Sequence, residues 1–138
     1  DIKKIVELMS DLHFIYNTHR FAYLYSKFNS SIYMYKFSLD TDLNIVKKMS
    51  GFDVEGVCHA DELFYFFSTN MTKDYYESED KIKEYVWKVT KLWTNFAKTS
   101  NPTPDTSLGV SWPRYTMANK EYLDINTQLT TGRYSERE

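Results

Sequence analysis

Hydrophobic residues recur at helical spacing from the start of the chain. Residues three or four apart share one face of a helix, and such a pattern is formed by Ile2, Ile5, Val6 and Met9. A second stripe with this spacing follows, made of Phe14, Ile15, Ala22 and Tyr25. The pattern predicts two successive helices, the second with its stripe buried.

The strongest periodic pattern lies at residues 79–98. Its hydrophobic positions fall on one face of a helix and are Ile82, Tyr85, Val86, Val89, Leu92, Trp93, Phe96 and Ala97. Ser78 is placed to cap this helix, and Glu79 and Asp80 suit the positive end of its dipole. Asn101, followed by Pro102, ends it. A long amphipathic helix with well-marked ends is therefore predicted here.

Compact runs of β-branched and aromatic residues predict extended segments. Residues 31–37 (SIYMYKF) have hardly any polar alternation, which is typical of a strand buried on both faces of a parallel sheet. Residues 112–116 and 122–125 are predicted to be two shorter extended pieces separated by a polar turn.

Polar segments separate these elements. The loop at residues 38–44 leads into a short predicted helix, whose hydrophobic positions are Leu43, Ile45, Val46 and Met49. Gly51 is expected in the turn that follows. The tail from Thr130 is polar and is expected to be mobile.

Composition narrows the possible functions. The chain has 138 residues, 42% of them hydrophobic, which is enough for a real core. Its net charge is -2 and no long run of Lys and Arg is present, so no nucleic-acid partner is expected. No apolar run approaches the ~20 residues that cross a bilayer, so no membrane span is predicted. The single cysteine, Cys58, leaves the redox compartment undecided.

The histidine with the most suggestive surroundings is His59. It lies just after Gly56 and just before an apolar run, at a junction where a side chain can project into a cleft. Spacing alone nevertheless favours a structural or merely exposed histidine over a catalytic one. His13 and His19 are six residues apart, on different faces of a helix, and no cysteine or acidic partner completes a metal site. They are interpreted as surface histidines, and no metal is expected.

Two other patterns have ordinary explanations. Asp40 begins a segment that resembles a calcium loop, but Ile45 replaces the required glycine and Gly51 stands where a glutamate is needed. A capped loop is the better interpretation. Asn29 and Asn70 fit the glycosylation sequon, a short pattern that often arises by chance.

The segment at residues 56–67 (GVCHADELFYFF) resembles the histidine motif of the type-B carboxylesterase family. The usual motif has Gly, two small residues, His-Ala-Asp-Glu-Leu and an aromatic-rich stretch. Other blocks follow the family's order, namely DLHF and IYMYKF upstream and LWTNFAKTSNPTP, WPRYT and YLDI downstream. Together they span nearly the whole chain. Cysteine directly before the histidine is most similar to insect α-esterases, in a family that includes juvenile hormone esterases and cholinesterases.

The resemblance implies an α/β fold, specifically the C-terminal portion of an α/β-hydrolase with mostly parallel strands and covering helices. Residues 1–138 would then be part of one domain, truncated at both ends. It also implies that residues 31–37 lie parallel to and beside a shorter strand ending near Val57, because the family's sheet delivers His59 from the edge of that strand. The family usually has proline at Asn17 and glycine at Ser100, so Ser100 is expected to adopt a left-handed conformation.

The resemblance also implies a carboxylic ester hydrolase with a Ser-His-acid triad, in which His59 is the catalytic base and acid. The family's serine, oxyanion loop and triad acid lie upstream of the residues present, so the isolated chain is expected to be inactive. Asp61 and Glu62 are tempting as the missing acid, but a role in holding the histidine loop is favoured for both.

The expected partners are a small carboxylic ester, from a broad ester or xenobiotic range, and the remainder of the same hydrolase domain. No cofactor is expected. The alternative is a catalytically inactive, cholinesterase-like domain that binds partners or mediates adhesion through its surface. Retention of His59 favours the enzyme.

Overall fold

The computed structural model describes residues 1–28, 31–51, 54–78 and 80–135, except for the side chain of Ser78. The α-helices are α1 (Ile2–Ser10), α2 (Tyr16–Ser26), α3 (Ile45–Ser50), α4 (Lys73–Ser78) and α5 (Asp80–Thr99). A π-helical turn at Asp11–Ile15 joins α1 to α2, and a 3-10 helix covers Asp61–Tyr65. The strands are β1 (Tyr35–Phe37), β2 (Glu121–Ile125) and β3 (Leu129–Arg133).

Helix α5 confirms the long amphipathic helix predicted at residues 79–98. Its buried positions include Ile82, Val89 and Leu92, as the spacing predicted. Glu79 and the side chain of Ser78 lie outside the described residues, so the N-terminal cap stays a prediction. At the other end, Ser100 has a φ of 57°. This confirms the left-handed conformation expected from the family's glycine.

Helices α1 and α2 confirm the two helices predicted first, but the predicted buried stripe is largely wrong. Ala22 is only 1% exposed, whereas Phe14 is 46% and Tyr25 48% exposed. Phe14 belongs to the π-turn, which places an additional residue in one turn and so moves it off the face that a regular helix would give it. Tyr25 lies in the regular helix α2, on a side that the described residues leave uncovered.

The short helix before Gly51 is confirmed as α3. Gly51 ends it with a φ of 69°, a left-handed conformation that glycine adopts without a steric penalty. Ile45, at the start of α3, is buried in the described structure. The polar loop before α3 therefore leads directly to an anchored helix.

The sheet has the order β1-β2-β3, with β1 and β2 parallel and β2 and β3 antiparallel. Two predictions about residues 31–37 are wrong. The neighbour of β1 is β2, in which Leu123 pairs with Tyr35, while residues 54–57 form an irregular segment. Burial on both faces is also wrong, since Tyr35 is 40% exposed. Lys36, whose side chain points to the opposite face, is exposed as well, so neither face of β1 is fully covered by the described residues.

The polar tail from Thr130 is ordered to the end of β3, so its expected mobility is wrong for residues 130–133. The backbone of β3 pairs with β2, from Leu129 opposite Ile125 to Arg133 opposite Glu121. An antiparallel edge strand is held by backbone hydrogen bonds and needs no hydrophobic alternation of its own. Residues 136–138 lie outside the described residues.

The predicted extended piece at residues 122–125 is confirmed within β2, whereas residues 112–116 are irregular. This irregular segment nevertheless runs beside the chain that leads into β1. The indole Nε1–H of Trp112 donates to the carbonyl of Met34 at 2.8 Å, and the N–H of Tyr115 donates to Ile32 at 2.8 Å. Backbone groups outside the sheet are satisfied in this way.

The hydrophobic core lies where α5, the sheet and the 3-10 helix meet. Its buried members are Leu39, Leu43, Tyr65, Ile82, Val89, Leu92, Trp112, Leu123 and Ile125. None of the described helices has both the length and the apolarity needed to cross a bilayer.

Candidate active site

Two left-handed residues shape the segment that carries His59. Gly56 has a φ of 105° and Ala60 a φ of 72°, and Ala60 is the N-cap of the 3-10 helix Asp61–Tyr65. Glycine accepts a positive φ freely, whereas for alanine this conformation costs about 1–2 kcal/mol. The surrounding contacts must therefore hold the turn at His59 in place.

Asp61 supplies those contacts. Its side chain is fully buried, with 0% exposure. One carboxylate oxygen accepts from the backbone N–H of Cys58 at 2.8 Å, and the other accepts from the N–H of Lys47 in α3 at 3.1 Å. Because Cys58 directly precedes His59, these bonds tie the histidine segment to the first turn of α3.

Asn44 extends this network. Its side-chain amide donates to Asp61 at 3.3 Å and to the carbonyl of Leu39 at 3.1 Å. Its side-chain oxygen accepts from the hydroxyl of Tyr65 at 3.0 Å and from the N–H of Thr41 at 3.0 Å. The loop that resembles a calcium site is therefore closed by its own hydrogen bonds, in keeping with the capped-loop interpretation.

The imidazole of His59 is exposed and borders a cavity of about 550 Å³. Much of the lining is apolar and comes from the π-turn, the segment before β1 and β1 itself, and it includes Phe14, Tyr33, Met34, Tyr35 and Phe37. Glu62 also lines this cavity, whereas Asp61 does not. An apolar cavity with a few polar groups suits a small organic ligand, and a neutral imidazole at its wall can accept and return a proton.

Glu62 influences Tyr35 across this cavity. Burial raises the pKa of the Tyr35 hydroxyl above its usual value, and the negative charge of Glu62 raises that pKa further. Both effects favour the neutral form of the Tyr35 hydroxyl, which belongs to the wall of the same cavity. Asp61 and Glu62 thus face different surroundings, since Asp61 accepts from two backbone N–H groups and the amide of Asn44, whereas Glu62 borders the cavity.

Phe14 lies against the ring of His59. The two ring centroids are 4.6 Å apart, and the ring planes are inclined by 30°, which is a stacked arrangement. Sequence reasoning placed Phe14 in a buried helical stripe and missed this contact. The only indication in the sequence was the position of Phe14 in the DLHF block.

The remaining candidate residues lie away from the His59 cavity. His13 is exposed, and His19 packs against Tyr134 with ring centroids 4.0 Å apart. Among the residues that the structure describes, no three His, Cys, Asp or Glu side chains are grouped as a metal site. Asn70 is exposed, whereas Asn29 lies outside the described residues.

Comparison with known proteins shows the fold and the family of this chain. The solved juvenile hormone esterase of Manduca sexta superposes with a TM-score of 0.80 and 29% identity, over 98% of this chain and 26% of that one. Such neighbours are α/β-hydrolase esterases, and the helices and small mixed sheet described above are part of this fold. A sequence profile of the Carboxylesterase family matches residues 1–138. The chain belongs to the carboxylesterase family.

Curated relatives place the chain in the same family. Carboxylesterase 4A of Bos taurus is 30% identical over 129 residues, which is 94% of this chain and 22% of that protein. The acetylcholinesterase of Bungarus fasciatus is 30% identical over 124 residues, covering 88% of this chain and 19% of that protein. The chain thus spans about a fifth of the length of these two relatives.

Proposed function

We propose that this chain supplies the acid–base histidine of a serine carboxylesterase, and that this histidine is His59. The observation that carries the proposal is the placement of the exposed imidazole at a largely apolar cavity, on a segment anchored by the buried Asp61. Catalytic side chains need a segment that supporting hydrogen bonds hold in place, as Asp61 does here. Family membership supports ester hydrolysis in general.

In the proposed reaction His59 transfers protons in two stages. Its neutral imidazole accepts the hydroxyl proton as the nucleophilic serine attacks the ester carbonyl, and the imidazolium then donates that proton to the leaving alcohol. In the second stage the imidazole takes a proton from water, which attacks the carbonyl carbon of the acyl-enzyme. The imidazolium then returns this proton to the serine oxygen as the bond between that oxygen and the acyl group breaks, which releases the acid and restores the serine hydroxyl. The serine and the triad acid come from parts of the protein outside this chain.

We propose in addition that residues 1–138 form the C-terminal part of one hydrolase domain, and that the rest of this domain covers them. The support is the large hydrophobic surface of α1, the π-turn and α2, whose exposed members include Ile2, Ile5, Leu8, Met9, Leu12, Phe21 and Leu24. An exposed apolar surface of this extent is typical of a region that another part of a protein covers.

On this proposal the chain alone hydrolyses no ester, and organophosphates label none of its serines. Stoichiometric labelling of any serine in the chain would contradict it.

The substrates proposed are small carboxylic esters, from the broad or xenobiotic range of the insect α-esterases. The cavity at His59 supports an apolar ester because its lining is largely apolar. A panel of p-nitrophenyl esters of increasing acyl length, tested on the intact protein, would measure this preference.

The decisive experiment replaces His59 in the intact protein. His59→Ala is expected to lower the rate of ester hydrolysis by roughly 10³- to 10⁶-fold, with a far smaller change in substrate binding, because it removes the base and leaves the pocket. Asp74→Ala is the control, since Asp74 is an exposed residue of α4 that does not line the cavity, and it should keep the parent activity. Asp61→Asn should reduce activity less than His59→Ala. A nearly fully active His59→Ala variant beside a dead Asp61→Asn variant would show that the role belongs to Asp61.

A further inference from the structure

The stack between Phe14 and His59 brings together two separate parts of the chain. The ring of Phe14 lies in the helical segment that precedes β1, whereas His59 lies in the loop after α3. Their centroid separation of 4.6 Å and inclination of 30° put the face of one ring against the face of the other. Aromatic rings that are stacked in this way stabilise each other beyond the area that they bury. The contact therefore favours one orientation of the imidazole.

The backbone around Phe14 departs from a regular helix. Phe14 belongs to the π-turn at Asp11–Ile15, in which the N–H of Tyr16 donates to the carbonyl of Asp11. The side chain of Asn17 donates to the carbonyl of Leu12 at 3.4 Å, a long hydrogen bond beside the turn. π-turns inside α-helices are rare and frequently occur at functional sites. Here the turn presents Phe14 to the loop that carries His59.

The geometry of the stack suits a catalytic imidazole. Proton transfer uses the two ring nitrogens, which lie in the ring plane at its edge. Phe14 contacts the face of the ring and so leaves both nitrogens accessible to the serine and to the triad acid. Asp61 holds the backbone on either side of His59 but forms its hydrogen bonds with backbone and amide donors. Asp61 therefore fixes the backbone around His59, whereas Phe14 restricts the rotation of the His59 ring.

We propose that Phe14 is a positioning residue, which fixes the plane of the His59 imidazole for proton transfer. This inference rests on the proposed acid–base role of His59. Phe14 itself exchanges no proton and forms no bond to the substrate. Its effect is to restrict rotation of the imidazole about the bond that joins the ring to Cβ. The ring nitrogens then stay in line with the serine and the triad acid. Misplacement of a catalytic group by about 1 Å can reduce a rate by about 100-fold.

The test compares four variants of the intact protein. Phe14→Leu removes the ring and keeps apolar bulk, and Phe14→Tyr keeps a ring face. Phe21→Leu is the matched control, because Phe21 lies on the same helical segment but stacks on Tyr25, with ring centroids 5.4 Å apart, and not on His59. His59→Ala identifies the His59 resonances in spectra of histidine-labelled protein and tests the proposed function itself. Thermal unfolding of every variant verifies folding.

We expect Phe14→Leu to lower kcat by about 10- to 100-fold with KM changed by less than about threefold, because leucine keeps an apolar side chain in the cavity wall and ground-state binding does not depend on imidazole orientation. Phe14→Tyr should restore most of kcat, and Phe21→Leu should match the parent. In the parent and in Phe14→Tyr, the imidazole C–H protons of His59 should be shifted upfield by the neighbouring ring. Phe14→Leu should abolish this shift.

The outcomes separate this inference from the proposed function. If His59→Ala remains active, the proposed function fails and the inference fails with it. If His59→Ala is inactive while Phe14→Leu keeps the parent kcat, only the positioning role is overturned. A rise in KM without a fall in kcat also overturns it, because Phe14 would then contact the substrate instead. Absence of the upfield shift in the folded parent would overturn the stack.

Discussion

The carboxylate of Asp61 accepts a hydrogen bond of 2.8 Å from the backbone N–H of Cys58, the residue that precedes His59. The donor lies before the histidine and the acceptor after it, so this bond closes the turn that contains His59. The second carboxylate oxygen accepts from Lys47, which connects the closed turn to α3. Asp61 thus orders the backbone of the site from a buried position.

Asp61→Ala should therefore destabilise the protein. It leaves the part-buried N–H groups of Cys58 and Lys47 without their acceptor, and each such loss costs about 1–3 kcal/mol. We expect a decrease of about 3 kcal/mol in the free energy of unfolding, measured by urea titration. Asp74→Ala, at an exposed carboxylate in the first turn of α4, should change it by less than about 0.5 kcal/mol. Equal effects for the two variants would show that Asp61 is no anchor.

Local patterns in the sequence predict those elements whose hydrophobic positions follow a regular repeat. Ile82, Val89 and Leu92 recur with the period of a helix, and all three are buried on α5. The left-handed Ser100 was also predictable, because it stands where the family has a glycine and the chemistry of glycine is specific. In these cases the information lies within a few consecutive residues.

The relations between distant residues were not predictable in the same way. A run such as residues 31–37 indicates a strand but does not say which strand pairs with it, and its neighbour is β2, more than 80 residues further along the chain. The π-turn at Asp11–Ile15 changes the helical phase without a distinct residue pattern. As a result, Phe14 was assigned to a buried stripe, and its stack on His59 was missed.

Ser100→Gly should stabilise the protein. Ser100 has a φ of 57°, and its N–H donates to the carbonyl of Phe96 at 2.8 Å. Glycine keeps this hydrogen bond and removes the steric cost of a side chain at positive φ, so the free energy of unfolding should rise by about 1 kcal/mol.

Thr99→Gly is the neighbouring control. It introduces glycine at the last helical residue and removes the hydroxyl that donates to Asn95 at 2.9 Å, and it should lower stability by about 1 kcal/mol or more. Stabilisation by both changes would contradict the helix end described here.

Tyr65 belongs to the same buried network, and its hydroxyl makes the stability of the protein depend on pH in the alkaline range. Its hydroxyl is fully buried and donates to Asn44 at 3.0 Å. Burial raises the pKa of Tyr65 well above its usual range, the hydrogen bond with Thr41 opposes this, and the negative charge of Asp61 adds to the increase in pKa. The folded protein therefore keeps the Tyr65 proton at a pH at which the unfolded chain has lost it.

The sign of the pH dependence follows from this difference in pKa. A group whose pKa is higher in the folded state contributes its full stability below the unfolded pKa, about 10 for tyrosine, and loses it as the pH rises through the folded pKa. Above about pH 10 the parent should lose up to about 1.4 kcal/mol per pH unit from this one group. Tyr65→Phe removes the titrating hydroxyl. It should be less stable than the parent at neutral pH by about 1–2 kcal/mol, because the hydrogen bonds to Asn44 and Thr41 are lost, and its stability should decline less steeply with pH.

Urea titrations of the parent and Tyr65→Phe at pH values from about 8 to about 11 would measure the two slopes, since all other titrating groups are common to both proteins. Tyr16→Phe, at an exposed tyrosine of α2, is the control and should keep the parent's slope. The two stability curves should converge as the pH rises above about 10. Parallel curves for the parent and Tyr65→Phe over this range would mean that Tyr65 loses its proton equally in both states. Its hydroxyl would then not be held by the network that anchors the His59 turn.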